Sequence, residues 1–235
     1  MMTATPYEAL VESAARLTDT NTLADISDDD VSLASGFLHR NRLALESARR
    51  ALGPQCVVPL RYEKSFFSEH CDHFSHLRNL ARAFRVEALL AASNKNYGDA
   101  ARTGIDILEL ANAVRRGGLI TDLQVGVAIS GIAMVNLRKI RTRLDDVTSL
   151  LLIQDIQRIE SEREPFSDIA TRDHEWEMAV GCADAPCDFK SLELSGPEEC
   201  GLSEEEQKEI IDVLQQIHAS LLASSIPSCL SRLIG

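Results

Sequence analysis

HFSHLRNLARAFRVEALLAASNKNYGDAARTGIDILELANAVRRGG, residues 73–118, decides the fold. Leu77, Leu80, Ala81, Phe84, Ala88 and Ala91 recur at intervals of three and four, which lines one face of a 3.6-residue helix. Asn94 to Gly98 is a run of small polar and turn-forming residues, and Ala101, Ile105, Leu108, Ala111 and Val114 then repeat the helical spacing. Gly117-Gly118 stops the second run. A link this short makes antiparallel neighbours, so residues 73–116 are predicted to form a helical hairpin, with helices over 73–93 and 98–116.

Downstream, about 119–142 reads as one more helix. From Leu123 to Leu137 only Gln124, Ser130 and Asn136 interrupt it as polar residues. The run is shorter than the ~20 residues that cross a bilayer, and a helix apolar all round belongs in the middle of a fold. Gly126, Ser130 and Gly131 would let a neighbouring backbone come close. Residues 144–163 form a further helix, with Leu144, Val147, Leu151 and Ile156 expected to be buried and Asp145 and Asp146 in its first turn. A short acidic helix over 165–180 holds the single Trp176. Residues 181–202, with Gly181, Pro186, Gly196, Pro197 and Gly201, read as a loop or flap. Ser203 with Glu206 opens a C-terminal helix, predicted over 203–223, that would pack on the core as part of 203–235.

Upstream, a helix over 6–18 starts at Pro6 and carries Tyr7, Leu10, Ala14 and Leu17. Ser27 is expected to cap a second helix that ends at Gly53-Pro54. Residues 55–72 look irregular. Pro59 keeps Val57 to Leu60 extended, and at most a short turn falls near 63–69. The chain therefore reads as all-α: antiparallel hairpins stacked around the central helix, with a helical-hairpin core over 1–180.

Two resemblances bear on this. ALLAASNKNYGDAARTGIDILELA, residues 88–111, resembles a tetratricopeptide-like hairpin in its small residues and its Asn-Tyr-Gly-Asp turn, although Gly104 stands where a bulky aromatic is usual. LRNLARAFRVEALLA (77–91), the stretch 98–133 and ESERE (160–164) are similar to a functionally uncharacterised family of bacterial helical proteins. Both resemblances imply an all-helical fold. Neither implies an activity or a site.

The balance of 24 basic and 36 acidic residues gives a net charge of −12 and hides a pattern. Residues 36–143 are basic, net +8, between acidic flanks of −6 and −14. The acidic total speaks against nucleic acid. Met1 to Pro6 has no charged start leading into an apolar run, so no signal peptide is expected. The six cysteines, Cys56, Cys71, Cys182, Cys187, Cys200 and Cys229, form no CxxC and read as the reduced thiols of a cytoplasmic protein.

Three clusters are candidate sites. Histidines and a thiol are common zinc ligands, and His70, Cys71, His73 and His76 lie together beside Glu69 and Asp72; the plainer reading is a polar lead-in to the helix, with Asp72 as its cap. Arg78, Arg82 and Arg85 fall on one helix face and could receive an acidic peptide or protein, or else pair with Glu87, Asp106 or Glu109. A carboxylate group, Glu160, Glu162, Glu164, Asp168, Asp173, Glu175 and Glu177 with His174, could do acid–base work, but the interleaved Arg158, Arg163 and Arg172 suit surface ion pairs. No G-x-S-x-G, Walker loop or H-E-x-x-H is present. The expectation is a non-enzymatic helical interaction or scaffold module that binds a protein, an acidic peptide or its own copy. No cofactor is expected on that reading; the alternative is a metal- or small-ligand-binding protein using the histidine cluster, for which zinc is the metal considered.

Overall fold

Among the described residues seven α-helices follow one another: α1 (Pro6–Ala15), α2 (Val31–Ala51), α3 (Lys64–Ser93), α4 (Tyr97–Arg115), α5 (Ile120–Ile140), α6 (Asp146–Ser161) and α7 (Phe166–Val180). The computed structural model describes residues 4–23, 26 and 30–180, all within one unit, Met1–Cys187. No strand occurs among the described residues. The expected flap over 181–202, the helix over 203–223 and the Ser27 cap lie outside them.

The hairpin of α3 and α4 forms as the spacing predicts. Its turn is tighter than expected, because α4 already begins at Tyr97. Lys95, not Gly98, takes the left-handed conformation, with φ 61°. Asn96 caps α4 by accepting the Asp99 N–H. At the other end Arg116 leaves the helix and Gly117 turns the chain with φ 73°. A Cβ on Gly117 would also stand 2.5 Å from Val57 Cγ1, so glycine is required there twice over.

The central helix is α5, which packs on α3, α4 and α7. Val125, Ile129, Ala133 and Leu137 are buried along it. Gly126 lies so close to α4 that a Cβ would sit 2.8 Å from the Ala111 carbonyl oxygen, the close approach expected of it. Gly104 plays the matching part on α4, against Leu137. By length and composition Ile120–Arg143 could cross a membrane, but it is built into this core as a soluble protein's central helix can be.

Two boundaries differ from the expectation. The first helix stops at Ala15 instead of 18, because the buried Asn41 of α2 takes the departing chain: Oδ1 accepts the Thr18 N–H at 2.8 Å and Nδ2 donates to the Thr18 carbonyl at 3.2 Å. Thr5 and Glu8 form an unforeseen capping box at its start. The largest difference is α3, which is helical from Lys64 and not from 73, so that Asp72 is no cap. Phe66, His70, Phe74 and Leu77 make one inward stripe. That stripe is hidden in the sequence because its second member is a histidine.

The burial pattern corrects the reading of α6. Leu144, Leu152 and Ile156 pack inward, but Val147 and Leu151, expected to be buried, are 69% and 55% exposed. Leu150 and Ile153 join them at 57% and 51%. Asp145 caps the helix, accepting the Thr148 N–H at 2.7 Å. Only Ile159 is buried, near the end where Asn112 of α4 donates to its carbonyl at 2.9 Å.

Candidate functional site

The histidine cluster lies within one unbroken helix, and the positions 70, 73 and 76 therefore fan around it by about 60° per step. His70 turns into the core, stacked on Phe66 at 4.9 Å between ring centroids and edge-on to Phe74 at 5.1 Å. Its Nε2 is 2.5 Å from Asp122 Oδ1 of α5. The two side chains are 2% and 0% exposed. A carboxylate oxygen only accepts, so the ring presents Nε2–H to it. The other oxygen of Asp122 accepts the Leu119 N–H at 2.8 Å, which caps the start of α5.

Around this pair the structure is tight and partly unsatisfied. The Tyr7 hydroxyl, His73 Nδ1 and Thr121 Oγ1 are buried with no hydrogen-bond partner. Burial, then the nearby Asp122 carboxylate, hold the Tyr7 phenol far above its ordinary range, so it stays protonated. Burial and the neighbouring His70 and His76 lower the His73 imidazole below its ordinary value. Burial also pushes the Cys56 thiol up to about 12. Cys71 and His76 are half-buried on the outer flank. Among the described residues no three His, Cys, Asp or Glu side chains converge as a metal-ligand set.

The carboxylate group is distributed over helix ends. Glu164 accepts the Gly117 N–H at 2.9 Å and pairs with Arg172, whose Nη1 donates to the Gly118 carbonyl at 2.8 Å. Asp173 accepts the Ile120 N–H at 3.0 Å, and burial raises its carboxyl above the usual range. Side chains before and within α7 thus hold the amino end of α5. Glu160 and Glu162 pair with Arg163 and Arg158, while His174 stays exposed. Trp176 is a packing residue that donates to the Arg61 carbonyl at 2.9 Å.

Arg78, Arg82 and Arg85 are half-buried along α3, and each is already engaged in interactions. Arg82 donates to Asn79 Oδ1 at 3.2 Å. Glu87 and Asp106, two of the acids considered as their partners, both receive Arg49 of α2, at 2.8 and 2.6 Å. Glu109 receives Arg158 of α6 at 2.6 Å. Sequence reading missed Arg49. Its signal was a cation one turn after Leu45 and next to Ala48, on the inward side of an amphipathic helix.

Arg49 stands in a cleft of about 770 Å³ between α2, α3 and α4. The charges there answer one another: Arg49 with Glu87 and Asp106, Arg42 with Glu46, Arg102 with Asp99. The smaller cleft, about 250 Å³, lies where the end of α3 meets the start of α4 and the end of α5. Among the described residues it is lined by Asn136, Lys139 and Arg143 and by no acidic side chain.

Comparison with family models, curated proteins and solved structures returned no match. The fold and these sites therefore carry the functional reading by themselves.

Proposed function

We propose that the protein is a non-enzymatic helical interaction module that associates with a second copy of itself through α6. One observation carries the reading: the first half of α6 leaves Val147, Leu150, Leu151 and Ile153 in solvent. Contiguous apolar surface of this kind marks interfaces in soluble proteins. From Val147 to Gln154 no side chain is charged, in a chain of net charge −12. Two copies meeting about a two-fold axis bring the same patch against itself, and here that contact buries no charge and opposes no like charges. The reading draws on α6 in preference to the Arg78, Arg82 and Arg85 face, which is half-buried and engaged. A cytoplasmic setting fits the unbridged thiols of Cys56 and Cys71.

Light scattering on the full chain tests it. The native protein should show a mass above that of one 25.9 kDa chain, rising with concentration, and the Leu150→Glu, Leu151→Glu double variant should stay at one chain. A native mass of one chain up to ~100 µM would remove self-association, since a dimer with a Kd above that has only marginal binding energy. A dimer unaffected by the double variant would move the interface elsewhere.

A further inference from the structure

We infer that the two copies meet with their α6 helices antiparallel, so that the acidic end of each lies against the Arg141 and Arg143 lead-in of the other. The inference rests on the association proposed above and specifies its geometry. Val147, Leu150, Leu151 and Gln154 stand at i, i+3, i+4 and i+7, which is one face of the helix, and all four are exposed. Leu150 and Leu151 are the middle of that line, where a two-fold axis sets each against its own copy. An axis running along the helices makes them parallel, and one running across them makes them antiparallel. Apolar burial is non-directional and does not choose between the two.

The charges at the two ends do choose. Ahead of the apolar line stand Arg141 and Arg143, both exposed, with Asp145 and Asp146, so the formal charge there is zero. Asp145 is turned to the Thr148 N–H as the helix cap. Beyond the line, Arg158 is engaged by Glu109, Asp155 and Glu162, and Arg163 by Glu160. Four carboxylates with two guanidinium groups leave that end at −2. The helix dipole widens the difference, with its positive pole at Asp146 and its negative pole at Ser161. Parallel helices would set the two acidic ends, and both negative poles, against each other. Antiparallel helices set each acidic end and its negative pole beside the other copy's positive pole, Arg141 and Arg143. Charge arranged in this way fixes register and rejects the wrong orientation more than it adds affinity.

Light scattering on the full chain against concentration tests the orientation with three variants, each checked for native helicity by circular dichroism. Asp155→Lys, Glu160→Lys should raise the dimer dissociation constant about tenfold, because it turns surface attraction into repulsion at both ends of the contact. This variant discriminates most sharply. It makes the chain less acidic, which lowers general repulsion between copies and would tighten a parallel dimer. Arg141→Glu, Arg143→Glu should weaken the dimer by a similar factor. All four substitutions in one chain make the ends complementary again and should return the constant to within about threefold of native, as coupled sites do. The inference is overturned if Asp155→Lys, Glu160→Lys leaves the dimer unchanged or tightens it, or if the fourfold variant stays as weak as the two half variants. Either result, with association still lost in Leu150→Glu, Leu151→Glu, overturns the orientation and leaves the α6 interface standing. A native mass of one chain removes both.

Discussion

α5 and α6 are both rich in aliphatic residues, and the structure treats them in opposite ways. α5 packs on three helices, α3, α4 and α7, and its polar groups are mostly answered: Asp122 by His70 and Leu119, the Ile120 N–H by Asp173. α6 rests on α4 along one narrow seam and leaves four large aliphatic side chains outside. Apolar residues in α5 build the fold, whereas those on the outer side of α6 are surplus to it. Surplus apolar surface is where association is found, and the contrast predicts that substitutions in the two helices separate stability from assembly.

The largest effect should come from the buried pair. Asp122→Ala leaves His70 unanswered in the core and uncaps α5, and should cost about 3–5 kcal/mol, read as a lower midpoint in urea unfolding. Gly126→Val should cost about 1–3 kcal/mol by pushing α5 off the Ala111 carbonyl, measured in the same way. Asn136→Leu should act in the other direction, with a gain of about 1 kcal/mol, because it removes an unsatisfied buried amide. The α6 double variant Leu150→Glu, Leu151→Glu should shift the stability of the single chain by no more than about 0.5 kcal/mol, although it abolishes assembly.

A smaller effect concerns pH. The native His73 value is depressed below 6.5, chiefly by burial and then by His70 and His76, against the opposing pull of Asp72 and Asp122. Its contribution to stability is therefore full above pH 6.5 and is lost as pH falls through the lowered native value. His73→Gln should flatten that part of the stability profile, measured as unfolding midpoint against pH. Equal slopes in the two proteins would show that His73 does not titrate differently on folding.

Much of the helical order was legible because periodicity and stop signals agree. Leu77, Leu80, Phe84 and the Gly117-Gly118 stop fixed the hairpin, and the long apolar run from Leu123 to Leu137 placed α5 at the centre. What escaped depended on tertiary partners. His70 looked like a polar residue ahead of a helix, because nothing near it in sequence reveals Asp122 fifty-two positions away. Asn41 is the same case, an amide that ends α1 from the neighbouring helix. Val147 and Leu151 were expected inside because their spacing is helical, but spacing identifies a face and not what covers it. The small cleft was half legible: Asn136 stands out as a polar break in the apolar run, but only packing shows that its amide lacks partners. The charge blocks were legible as totals, and the particular pairings, Arg49 above all, were not.

The claim that α6 is an interface is tested most directly by hydrogen–deuterium exchange of the full chain at a low and a high protein concentration. The account predicts that amides of the Asp146–Arg158 stretch gain protection at the higher concentration, while those of α5 exchange equally slowly in both. Exchange in α6 that is the same at both concentrations would contradict it.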